Sequence, residues 1–110
     1  MVNIYYTSEF EKQAKRLAKK YVSFAADLSD LQERLKENPY EGTDLGNGIR
    51  KIRMRIVSKG KGKSGGARVI SFIVAVLEDV EVTLLTIYDK SEQGNISDKA
   101  IKRLVAGLKD

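Results

Sequence analysis

The sequence predicts an α+β domain in which two paired helices and a terminal helix lie against an antiparallel sheet. Three observations lead there. A short strand-like run opens the chain. Two stretches with apolar residues at helical spacing follow it. After the single proline come three further runs of alternating or continuous apolar character, and then a last amphipathic stretch. The predicted order is β-α-α-β-β-β-α, with the helices on one face of the sheet. A chain of 110 residues is expected to form one domain around one core, spanning residues 1–110.

The first strand is read at Val2–Tyr6, which is short, β-branched and aromatic. Thr7 or Ser8 caps a helix that starts at once, with Glu9 and Glu11 favourable in its first turn. Phe10, Ala14, Leu17, Ala18 and Tyr21 recur on one face of it. After a short break at residues 21–23, Phe24, Leu28, Leu31 and Leu35 form the stripe of a second helix. Asn38-Pro39 stops that helix, because the residue before a proline is pushed out of the α region. Residues 38–48, 60–66 and Gly94 hold most of the glycines and the proline, and read as loops.

Residues 49–57 alternate. Ile52, Met54 and Ile56 point one way, and Lys51, Arg53 and Arg55 the other, so one face packs and one meets solvent. Residues 67–77 are nearly continuously apolar, as a central strand requires. Glu78-Asp79 reads as a tight turn into a strand over residues 81–88, and strands joined so closely are antiparallel. Ser97 with Asp98 behind it caps a last helix carrying Ile101, Leu104, Val105 and Leu108.

Charge is unevenly placed. Residues 45–77 contain no Asp or Glu but hold Arg50, Lys51, Arg53, Arg55, Lys59, Lys61, Lys63 and Arg68. These contribute +8 to a chain of net charge +5, so the rest sums to −3. A segregated basic field points to a polyanion, most commonly nucleic acid. There is no Cys, which excludes disulfides, thiol catalysis and thiolate metal sites. There is no His, which removes the usual base near neutral pH and the commonest zinc ligand. The first ten residues lack a basic-then-apolar signal pattern, and the longest apolar run is too short to span a bilayer. A soluble, cytoplasmic protein with no membrane partner is expected.

Three features of the basic field carry chemistry. Lys51, Arg53 and Arg55 sit two residues apart on one face, about 6.6 Å per step, close to the spacing of phosphates along a nucleic acid strand. The run Lys59-Gly60-Lys61-Gly62-Lys63-Ser64 imitates part of a Walker loop, but a strand follows it where a helix is required. It suits electrostatic capture of a backbone better than triphosphate binding. Arg68 opens the central strand just after Gly65-Gly66, which admit the close approach of a ligand or another backbone. A charge entering an apolar strand either pairs, here with Asp89 or Glu92, or faces a cleft.

Taken in order, Lys51-Ile52-Arg53-Met54, Gly66-Ala67-Arg68-Val69-Ile70 and Leu84-Leu85-Thr86-Ile87-Tyr88-Asp89-Lys90-Ser91-Glu92, with the leading strand and helical hairpin, resemble the RelE/ParE superfamily of type II toxin–antitoxin toxins. The lysine-glycine loop and the Ile87 to Glu92 ending are most similar to its HigB-like branch. The resemblance implies a ribosome-dependent mRNA endonuclease that cuts mRNA in the ribosomal A site and is held inactive by a cognate antitoxin. The 2′-hydroxyl attacks the adjacent phosphate, so no metal or other cofactor is implied. The catalytic set carried over is Lys51, Arg53 and Arg68. Lys51 is given proton transfer, since lysine titrates and arginine does not, and the two arginines the phosphate charge. Arg55, Lys59, Lys61, Lys63, Tyr88 and Lys90 are expected to contact RNA. Two positions depart from the RelE pattern: Ser91 stands where RelE has an arginine, and Ser97 near its late tyrosine. The rival reading is a ParE-like toxin that binds DNA gyrase without cutting nucleic acid. A third is a basic module that only binds nucleic acid.

Overall fold

The computed structural model describes residues 1–60 and 65–108. The elements are β1 (Val2–Tyr6), α1 (Ser8–Lys20), α2 (Phe24–Glu37), β2 (Thr43–Gly46), β3 (Ile49–Met54), a 3-10 turn at Val57–Lys59, β4 (Ala67–Val76), β5 (Asp79–Asp89) and α3 (Asp98–Ala106). The α+β order predicted from the sequence is present, with one strand added. That strand, β2, lies inside the segment read as a loop; it is four residues long and exposed throughout, so no burial pattern marks it.

The five strands run in the order β1-β5-β4-β3-β2. Every neighbouring pair is antiparallel except β1 and β5, which are parallel. The leading strand therefore joins the sheet itself at one edge. The α1–α2 hairpin carries the chain from it toward the other edge.

Adjacent strand residues divide between two cores. Ile52, Met54, Val69, Leu84 and Ile87 pack with Phe10, Leu17, Phe24, Leu31 and Leu35 of the helical hairpin. Ile49, Ile70, Leu85 and Tyr88 pack with Ile101, and Leu104 and Val105 lie against them. Since successive strand residues point to opposite faces, α1 and α2 cover one face and α3 the other. The expectation of helices on a single face holds for the hairpin alone.

One irregularity re-aims a strand. On the β4–β5 ladder Ile70 pairs with Thr86 and Ser71 with Leu84, which leaves Leu85 as an extra residue. Before this bulge Val82 and Leu84 face the hairpin; after it Ile87 does, and Tyr88 faces α3. A bulge changes the phase of a strand in this way. Thr7 fastens it: its hydroxyl accepts from Phe10 N at 2.9 Å, capping α1, and donates to Leu85 O at 2.8 Å.

Gly66 explains the glycine pair before β4. A Cβ there would stand 2.2 Å from Met54 O and 3.1 Å from Ile56 N. The close approach is made by the chain's own backbone where β3 ends, three residues earlier than the expected boundary at residue 57.

The β4–β5 turn falls at Leu77 and Glu78, one residue before the turn read from the sequence. Leu77 holds φ +57 and is fully exposed. A left-handed conformation is strained for leucine, and its side chain gains nothing from burial. Leu77→Gly is expected to raise stability by about 0.5–1 kcal/mol, the relief of strain exceeding the extra unfolded-state entropy. Thermal unfolding checks this; an unchanged or lower midpoint would count against strain at this turn.

Candidate functional site

The register of the sheet assembles the site. Arg53 of β3 pairs with Arg68 of β4, which pairs with Tyr88 of β5. The next row is Lys51, Ile70 and Thr86. Ile70 and Tyr88 belong to the core beneath α3, so both rows face that side. The sequence-predicted catalytic set of Lys51, Arg53 and Arg68 therefore shares one face of two neighbouring strands. Tyr88 joins it only because the bulge at Leu85 turns it there.

Two arginines stand directly opposite each other in this row. Arg68 is only 5% exposed, while Arg53 is exposed. Burial lowers the Arg68 pKa first, the Arg53 charge lowers it further, and Tyr88 partly offsets both. Arg68 also donates to Ala67 O at 3.2 Å. Burial raises the Tyr88 phenol pKa, opposed by the Arg68 charge. Its hydroxyl is buried without a hydrogen-bond partner among the described residues. The row thus combines concentrated positive charge with a neutral donor, a set suited to phosphate oxygens.

The end of β5 is fixed by a buried carboxylate. Asp89 is inaccessible to solvent. Lys59 Nζ donates to its Oδ1 at 2.7 Å, Ser91 Oγ at 2.6 Å and Ser91 N at 2.9 Å; the Tyr21 hydroxyl donates to Oδ2. Lys20 Nζ stands 3.6 Å away. Burial alone would raise this pKa, but the hydrogen bonds from Lys59, Ser91 and Tyr21 outweigh it and hold the carboxyl well below the usual carboxylate range. Glu92 continues the network, accepting from Arg16 at 2.9 Å and Lys20 at 2.9 Å. Asp89 and Glu92, the two acids considered as partners for Arg68, are thereby engaged by α1 and the 3-10 turn.

The remaining expected contacts are scattered. Lys59 turns inward to Asp89, its side chain 7% exposed, and so contributes to the fold at the position read as a docking loop. Lys61 and Lys63 lie outside the described residues. Arg55 is exposed just past the end of β3. Lys90 Nζ donates to Gly94 O at 2.9 Å. Arg50 points away, donating to Tyr40 O at 2.7 Å and standing 3.6 Å from Asp44. Ser97 caps α3 by accepting from Ala100 N at 3.1 Å, and Ser91 serves Asp89, so both departures from the RelE pattern have structural tasks here. Tyr21 and Lys20 carry no sequence signal for their role. Their distance from Asp89 along the chain is bridged only by the fold.

Among the described residues, no group of three or more acidic side chains is placed to hold a metal ion. No helix among them is long and apolar enough to cross a membrane. Residues 2–107 match the family model described as the RelE toxin of the RelE / RelB toxin-antitoxin system.

Removing the Asp89 carboxylate leaves Lys59 buried beside no counter-charge. Asp89→Ala is expected to cost about 3–5 kcal/mol in chemical denaturation. The folded pKa is depressed, so the stability from this carboxylate is complete at neutral pH. It fades as pH falls below the unfolded value near 4 toward the folded one. The acid-side slope of stability against pH should therefore be shallower in Asp89→Ala than in the wild type. Parallel slopes would show that the carboxylate titrates alike in both states.

Proposed function

Because the chain belongs to the RelE toxin family, we propose that it is a toxin that cleaves mRNA on the ribosome, with Lys51, Arg53 and Arg68 as its catalytic groups. The family implies a cognate antitoxin as partner. The observation that carries the nuclease reading is the cross-strand pair of Arg53 and Arg68. Two cations side by side on neighbouring strands can share the oxygens of one anion. A phosphodiester is such an anion, and its charge grows in the transition state.

The chemistry uses these side chains, the RNA and water. The amine of Lys51 takes the proton of a ribose 2′-hydroxyl. The O2′–P bond forms while Arg53 and Arg68 hold the non-bridging oxygens, which carry most of the developing charge. The P–O5′ bond breaks, and the leaving oxygen takes a proton from water. The products are a 2′,3′-cyclic phosphate and a 5′-hydroxyl end, and Lys51 returns its proton to solvent. Arg55 and Lys90, with Lys61 and Lys63, are the docking cations along the RNA. The acid-free composition of residues 45–77 fits this task, since a carboxylate there would repel the phosphate.

Controlled expression with mapping of mRNA ends tests the reading. Growth arrest with cuts inside translated frames is the expected result. Lys51→Ala and Arg68→Ala should each reduce cleavage by about 10²–10³ while remaining folded by circular dichroism. Arrest with intact mRNA and double-strand DNA breaks would replace the nuclease with a gyrase poison. Full cleavage by a folded Arg68→Ala variant would remove Arg68 from the catalytic set.

A further inference from the structure

The segment between β5 and α3 reaches back across the sheet to Lys51. Lys51 Nζ donates to Asn95 Oδ1 at 3.0 Å, a contact across 44 residues of chain. The same oxygen accepts from Ile96 N at 2.9 Å. Two donors converge on it, which fixes the orientation of the carboxamide, since its nitrogen cannot accept.

Asn95 is itself held from both sides. Gln93 Nε2 donates to its carbonyl at 2.8 Å, and Lys90 Nζ donates to the carbonyl of Gly94 at 2.9 Å. Upstream, Asp89 O accepts from Glu92 N and Gln93 N, each at 3.0 Å. Downstream, Ile96 packs against the core beneath α3, and Ser97 caps that helix. The acceptor offered to Lys51 is therefore part of a closed, hydrogen-bonded turn. Lys51 needs such a partner more than Arg53 does. A lysine ammonium rides on a four-carbon stem with about 2 kcal/mol of rotamer entropy, and proton transfer depends on a placement good to a fraction of an ångström.

We infer that Asn95 is a positioning residue, holding the Lys51 amine in place beside the arginine row's strands with a neutral acceptor. The neutrality of the acceptor matters to the chemistry. One N–H bonded to Asn95 steers the Lys51 nitrogen without placing a counter-charge on it. A carboxylate at the same place would make the same contacts but hold the amine in a full ion pair. It would also set a negative charge beside the phosphate. The inference rests on the nuclease reading and on Lys51 as its base.

Two variants of the full chain separate this role from simple support of the turn. Asn95→Ala removes both contacts. Asn95→Asp keeps both and changes only the charge. Each is assayed by single-turnover cleavage on ribosomes programmed with a defined mRNA, alongside thermal unfolding. Both variants are expected to lower the maximal rate at least tenfold, with the half-saturating ribosome concentration within twofold and the melting temperature within about 2 °C of wild type. An Asn95→Asp variant that cuts at the wild-type rate would assign Asn95 to the turn alone and overturn the inference. So would an Asn95→Ala variant that does so. Wild-type protein that leaves ribosome-bound mRNA intact overturns the nuclease reading and this inference with it. A wild type that cuts, beside variants that cut equally well, overturns the inference alone.

Discussion

The end of the sheet that carries the arginine row depends on one carboxylate with no access to water. Burying an ionised Asp89 costs several kcal/mol unless donors replace its hydration. Here four donors come from three separate places: Lys59 in the 3-10 turn, Tyr21 at the end of α1, and the hydroxyl and amide of Ser91 just beyond β5. Satisfying the charge therefore forces α1, the β3–β4 connection and the end of β5 into one arrangement. The Glu92 contacts with Arg16 and Lys20 extend this to the exposed rim, where they add less because water screens them.

That arrangement also fixes the row beside it. The residue before Asp89 is Tyr88, and its row holds two arginines on adjacent strands. A strand end pinned by a buried ion pair, with Gly66 close against Met54 on the neighbouring side, keeps that row in register. The bulge at Leu85 completes the arrangement, because without its phase change Tyr88 would sit among the apolar side chains beneath α1.

Much of this was legible along the chain. The boundaries of β1 and both hairpin helices followed from alternation, capping and the Asn38-Pro39 stop, all of which act within a few residues. The grouping of Lys51 and Arg53 on one strand face followed from the two-residue period. β2 was not legible, since four exposed residues leave no apolar pattern. The inward turn of Lys59 was not legible either. A lysine among glycines looks like a solvated cation until a buried acid from another strand is placed beside it. Asn95 carried no signal, for its contact with Lys51 is made to a strand far upstream.

The sequence by itself determined the class of elements, their order, and the concentration of positive charge in a stretch without acids. These are properties of local periodicity and composition, which need no partner to be read. Only the tertiary structure decided which cations share one row and which serve the fold. Register across β3, β4 and β5 set Arg53, Arg68 and Tyr88 in one row, while Asp89 drew Lys59 inward and Asp44 and Tyr40 drew Arg50 aside. The physical reason is that charge is a property of a residue, whereas its role depends on burial and on counter-charges that the chain brings from elsewhere.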